Sequence, residues 1–227
     1  MRRWLKPVVF VVALIPLGKI GYDAVLGSGL GADPIAEILN RLGFWTLTML
    51  TITLACTPAK IALGITWPLR LRRMFGLFTF AYACLHFAVY VALDQFFAFD
   101  DIVADITKRK FIAVGFVALL LMVPLAITST NRAVRRMGYV RWKRLHRLIY
   151  GVAALGVIHF LWRVKADRRT PERFLAILAF LMLVRAAGFL RERRRKRIIG
   201  GAAARRRPSG QQGGGSGPSA VSYTHLT

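Results

Sequence analysis

Three histidines of this chain sit in or beside long apolar runs: His86, His146 and His159. An imidazole in a hydrocarbon setting has two uses, as a hydrogen-bonded packing group or as a metal ligand through its neutral nitrogen. Read as helix, the run carrying His86 places it ~16 Å beyond Phe75, and His159 lies ~20 Å beyond His146. These are the third and fifth apolar runs, so they cross a membrane in the same direction. His86 and His159 therefore reach comparable depth, while His146 stays near the surface where the fifth run begins. Two imidazoles facing each other across a helix bundle can ligate a haem iron from both sides. Neutral imidazole is the ligating form, and an apolar interior favours it. Packing is the alternative role for each ring.

The neighbouring residues suit a flat, bulky cofactor. Gly156 lies one turn before His159 and Ala83 one turn before His86, which leaves room for the edge of a macrocycle. There is no CxxCH, so covalent attachment is excluded and b-type haem is the natural form. Zinc lacks a third ligand type nearby in sequence. Cys56 and Cys84 are too few for a disulfide framework and read as apolar fillers. Trp45, Trp67 and Trp162 read as interfacial anchors. Arg72 and Arg73 read as orientation charges, with an anion such as a flavin phosphate as the alternative occupant. No nucleophile elbow, HExxH or phosphate loop is present.

The elements that must position these groups follow from composition. The 227 residues are 56% hydrophobic and only 19% charged, with a mean hydropathy of +0.48 and a net charge of +24. Disorder of the main body is excluded. A soluble nucleic-acid binder is excluded too, because Lys and Arg fall between apolar blocks rather than on one face. Six runs are long enough to cross a hydrocarbon core: 8–26, 43–63, 75–97, 111–128, 148–163 and 173–190. They lack the alternation of a membrane β-barrel. The expected fold is all-α, a polytopic bundle of six transmembrane helices over residues 1–190. Lys19 interrupts the first run, and Asp23 one turn later is its expected partner. The basic start followed by an apolar stretch reads as a retained first helix rather than a cleaved signal.

Charge sets the expected orientation. With the N-terminus inside, the inner segments are strongly basic, with Glu192 as their acid. The outer segments carry both signs. Both termini are therefore expected to be cytoplasmic, in a bacterial inner membrane. The net charge then reflects topology and attraction to anionic lipid, with no nucleic-acid partner implied. Residues 191–227 are expected to be a basic, low-complexity, disordered tail. Val221 to Thr227, with His225, look unrelated to the rest and are set aside. The outer segments, about 27–42, 98–110 and 164–172, are the expected docking surface for a partner.

Six stretches in order carry a resemblance: GLGADP (29–34), RRMFGL (72–77), YACLH (82–86), PLAITST (124–130), RWKRLHRLIY (141–150) and IHFLWRVK (158–165). From about residue 10 to 190 the chain resembles the haem-binding membrane subunits of periplasmic methionine-sulfoxide reductase systems, the MsrQ or YedZ family of the ferric-reductase-like transmembrane superfamily. The resemblance implies a b-type haem and FMN. It implies electrons drawn from quinol or a cytoplasmic flavin reductase and passed to a periplasmic molybdopterin enzyme that repairs oxidised methionine. On this resemblance the haem histidines fall on His86, His146 and His159, and an arginine tied to flavin function falls on Arg72. Where ferric reductases and NADPH oxidases carry a second histidine, about four turns before His86, this chain has Arg72. No NADPH-binding segment is read after the sixth run. His146 is left to ligate a second haem or to help hold a flavin. A stand-alone transmembrane ferric or quinone reductase is the alternative function.

Overall fold

The computed structural model describes residues 4–26, 29–164 and 167–205, the last seven by backbone alone. The chain is built of α1 (Leu5–Leu26), α2 (Pro34–Leu63), α3 (Arg72–Val89), α4 (Phe99–Lys108), α5 (Lys110–Ile127), α6 (Asn131–Met137), α7 (Tyr139–Leu145), α8 (Leu148–Arg163) and α9 (Arg169–Arg205). A 3-10 turn, Trp67–Arg70, precedes α3, and a π-helical turn, Tyr90–Asp94, extends it. No strand occurs among the described residues. Among the described residues, six helical segments are long and apolar enough to span a bilayer: Leu5–Leu26, Pro34–Leu63, Arg72–Asp94, Lys110–Ile127, Tyr139–Arg163 and Arg169–Ile198. They bear out the six expected spans. Large apolar side chains such as Val8, Val12, Leu120 and Phe180 face outwards, as lipid-facing residues do.

The helices start and stop for local reasons. Asp33 caps α2 by accepting from the Ala36 N–H at 3.0 Å, with Pro34 in the first turn. Gly64, with φ near +70°, ends α2 in a left-handed turn. Inside α2, the hydroxyls of Thr46, Thr51 and Thr53 donate back to the carbonyls of Leu42, Leu47 and Met49 at 2.7–2.8 Å. A membrane helix must satisfy its polar groups internally, and this is how α2 does so.

Packing is densest between α2 and α3 and between α5 and α8. One core cluster joins Leu47, Leu50 and Leu54 of α2 to Met122 of α5 and Val152 and Val157 of α8. A second joins Ala13 and Ile20 of α1 to Leu42, Met49, Phe78 and Tyr82. The buried Tyr82 hydroxyl donates to the Ala13 carbonyl at 2.8 Å and ties α3 to α1.

The expected Lys19–Asp23 pair forms, at 3.1 Å. Arg41 of α2 is the closer partner, at 2.5 Å from the same carboxylate, and it also holds Glu37 at 2.7 Å and the Gly29 carbonyl at 2.6 Å. Asp23 is buried, so this cluster fastens the end of α1 to α2.

Two regions differ from the sequence expectation. Residues 98–110, read as a connecting loop, contain α4. Asp105 on it accepts from Tyr90 at 3.2 Å and pairs with Arg109 at 3.1 Å, which seats the helix between the third and fourth spans. α9 continues past Leu190 to Arg205, because Arg, Glu, Lys and Ala are good helix formers and Lys196 pairs with Glu192 one turn away. The chain divides into compact units Met1–Arg185 and Ala186–Thr227, and all three candidate histidines belong to the first. The expectations for 206–227, including Val221 to Thr227, lie outside the described residues.

The Asp23 cluster gives a direct test of how α1 is held. Asp23→Asn should lower the thermal midpoint of the detergent-solubilised protein, and by more than Lys19→Met, since Arg41 loses its buried partner while Lys19 is largely exposed.

Candidate functional site

His86 lies on α3 and His159 on α8, both lining one cavity of about 320 Å³. The wall is mainly apolar, with Leu47, Leu50, Ala83, Phe87 and Met122 among its residues. Asn40, Tyr90, Arg109 and Arg163 add polar groups. The two imidazoles face each other with ring centroids 6.2 Å apart and planes at 87°.

Each ring is held by its Nδ1. The Nδ1 of His86 donates to the Leu39 carbonyl at 3.0 Å, and that of His159 to the Phe111 carbonyl at 2.6 Å. A carbonyl oxygen only accepts, so each Nδ1 carries the proton and each Nε2 keeps its lone pair. This second contact is the one that orients a metal-ligating histidine. A metal bound by both Nε2 atoms, with bonds of about 2 Å and about 1 Å more to each ring centre, needs centroids about 6 Å apart. The observed 6.2 Å fits a single metal between the rings. Among the described residues no cluster of three His, Cys, Asp or Glu could hold a bare ion. The donor set therefore fits a metal that brings its own equatorial ligands, as haem does.

A glycine admits the His159 ring, and another lies in ordinary contact distance of the His86 ring. A Cβ on Gly115 of α5 would lie 2.7 Å from the Nδ1 of His159, closer than real contacts allow. A Cβ on Gly43 of α2 would lie 3.5 Å from the Cε1 of His86. Gly156 and Ala83 do line the cavity, as expected, but the space left by the missing Gly156 side chain is taken by Leu47, 3.1 Å from where a Cβ would be. Gly156 thus also serves the close approach of α8 to α2. Gly43 and Gly115 were not read from the sequence. Glycine inside a membrane span, on a helix other than the histidine's own, was the available signal.

His146 is elsewhere, at the C-terminal end of α7, and does not line this cavity. Its Nε2 is 3.0 Å from the Thr128 hydroxyl, which donates its own proton to the Pro124 carbonyl at 2.6 Å. The Nε2 of His146 is therefore the donor. Trp142 packs on the ring at 4.1 Å between centroids and donates to the Thr128 carbonyl at 3.0 Å. Arg72 and Arg73, at the start of α3, act electrostatically on His146. The structure thus brings His86 and His159 together and leaves His146 with Arg72 at the other end of the spans. A further arginine at that other end escaped the sequence reading: Arg185 donates to Tyr150 and, at 2.7 Å, to the Leu54 carbonyl.

A family profile described as the ferric reductase like transmembrane component matches residues 39–157. The chain is 51% identical over 185 residues to the protein-methionine-sulfoxide reductase heme-binding subunit MsrQ of Rhodospirillum rubrum, covering 82% of this chain and 88% of that protein. It is 47% identical over 183 residues to MsrQ of Herminiimonas arsenicoxydans, covering 80% and 84%. It is 45% identical over 182 residues to MsrQ of Deinococcus radiodurans, covering 80% and 89%.

The glycine at 115 can be tested without any cofactor. Gly115→Ala should force His159 off the Phe111 carbonyl and lower stability by about 1–3 kcal/mol, the usual cost of overpacking. Gly18→Ala, where nothing lies within 4 Å, is the control and should leave the denaturation midpoint at or above that of the parent protein.

Proposed function

The chain belongs to the MsrQ family of haem-binding membrane subunits, within the ferric-reductase-like transmembrane proteins, and on that footing we propose that it carries electrons across a bacterial inner membrane to a methionine-sulfoxide reductase. The reading rests on one observation: two imidazoles 6.2 Å apart, each with Nδ1 fixed by a carbonyl and, among the described residues, with no hydrogen bond at Nε2. His86 and His159 are the residues that would hold the iron of a b-type haem. When bound, the haem would supply a one-electron carrier in this site. The protein's own part is to fix the rings, exclude water with the apolar wall, and keep both imidazoles neutral. A preorganised pair of ligands changes little between two oxidation states, which favours rapid electron transfer.

His146 and Arg72 belong to the electron-entry end. The His146 Nε2–H is spent on Thr128, which supports a positioning role there. Arg72 and Arg73 offer the charge that the phosphate of FMN requires. The donor is quinol or a cytoplasmic flavin reductase. The basic segments support a cytoplasmic position for this end and for both termini. The acceptor is a periplasmic molybdopterin-containing catalytic subunit, and sulfoxide reduction takes place there.

The first test is the absorption spectrum of purified protein from haem-sufficient cells. A Soret band is expected, and His86→Ala and His159→Ala should each abolish most of it, whereas His146→Ala should retain it. Full haem in both of the first two variants would reject the pair.

The acceptor should meet the α4 side of the bundle. Asp100 and Asp101 are exposed there, while Asp105 is committed to Tyr90 and Arg109. Reversing Asp100 and Asp101 to Lys should slow reoxidation of the reduced haem by the catalytic subunit by roughly tenfold at low salt, with the difference shrinking as salt rises. An unchanged rate at every salt concentration, with haem intact, would remove α4 from the docking surface.

A further inference from the structure

Arg163 is the charged group of the cavity whose presence the fold alone leaves unexplained. It sits one turn after His159 on α8, so it shares that helix face with the ligating ring. It lines the cavity and is half-buried. Its charge acts on both His86 and His159. Among the described residues it forms no ion pair, and its hydrogen bond is to the side-chain carbonyl of Asn40, a neutral group. Arg163 ends α8 and its span, and a half-buried guanidinium there still calls for a polar partner or an anion.

The other ionisable groups that line the cavity are already placed. Arg109 is paired with Asp105 at 3.1 Å. Tyr90 donates to the same Asp105. Asp94 accepts from Gln95 at 2.9 Å and is exposed. His86 and His159 hold their carbonyls. Among the described residues, the cavity therefore presents one guanidinium without a carboxylate, a turn from the His159 ring that also lines it.

We propose that Arg163 is the anchor for the ligand's carboxylates: it binds a haem propionate, with Asn40 holding the guanidinium in place. This rests on the haem reading of the same cavity. A b-type haem has two propionates on one edge, and a site that takes the macrocycle out of water must also meet their charge. Arginine suits this task because its planar fork matches a carboxylate bidentately. The consequence is a fixed in-plane orientation, with the acidic edge of the macrocycle at the Arg163 end of the bundle. Asn40, on α2, is then a positioning residue that acts through Arg163.

The test compares haem b with its dimethyl ester, which keeps the iron and ring but has no carboxylate charge. Full-length protein purified from haem-deficient cells is titrated with each and followed at the Soret band. The parent protein should bind the free acid roughly tenfold or more tightly than the ester, the range of one charge-assisted hydrogen-bonded contact. Arg163→Gln should bind both forms alike, with the loss falling on the free acid. Arg163→Lys should restore part of the preference. Equal affinity of the parent protein for the two forms would overturn the proposal without recourse to any variant. So would a Gln variant that keeps the full preference. Failure of the haem reading itself looks different: His86→Ala and His159→Ala would then bind haem b as the parent does.

Discussion

Two backbone carbonyls, those of Leu39 and Phe111, govern this structure more than any side chain does. Each takes the Nδ1 proton of a histidine on another helix. That single contact decides the tautomer, the ring plane and the direction of the remaining lone pair. Because the carbonyls belong to α2 and α5, the ligand geometry is set by how four helices pack. The histidines are carried by α3 and α8, and α2–α3 and α5–α8 are extensive contacts among the described residues. Each ring is therefore fixed within the helix pair that packs most closely, and the cavity lies between the two pairs. An imidazole on a flexible loop would need a metal to order it. Here the two carbonyls supply that order.

The same economy of polar groups holds elsewhere in the spans. Threonines of α2 return their hydroxyl protons to their own helix, and Tyr82 gives its proton to α1. Asp23 is buried only because Arg41 and Lys19 reach it. Such satisfied groups act as fasteners, since hydrocarbon offers them no alternative partner. The specificity of the spans for one another comes from these few directed bonds together with the close approach at Gly156 and Leu47.

Much of this was legible in the sequence, and the physical reason is the strength of the hydropathy signal. A run of ~20 apolar residues has few other interpretations, so six spans and their approximate limits could be read directly. The depth match of His86 and His159 followed from rise per residue alone, and the pair does share a cavity. What could not be read was rotation about the helix axis. Whether His146 turns into the cavity, whether Gly115 faces His159, and which acid meets Arg41 all depend on interhelical packing. Hydropathy is nearly silent on these points, because a membrane helix can be apolar on every side. α4 was missed for another reason: a short helix with charged and aromatic residues resembles a loop when its neighbours are long apolar runs. The sequence of α9 past Leu190 was read for charge and low complexity, although its Arg, Glu and Ala content also favours helix.

The separation of the two ends has an electrical consequence. Arg72 begins α3, and His86 lies about 20 Å further along the helix axis. A carrier that is loaded beside Arg72 and unloaded between His86 and His159 moves its electron through a large part of the low-dielectric slab. The cell's resting polarisation, negative inside, does work on that movement, up to about 2.3 kcal/mol per 100 mV for a full crossing. On the proposed direction of transfer, the membrane voltage would add to the difference in redox potential between donor and acceptor.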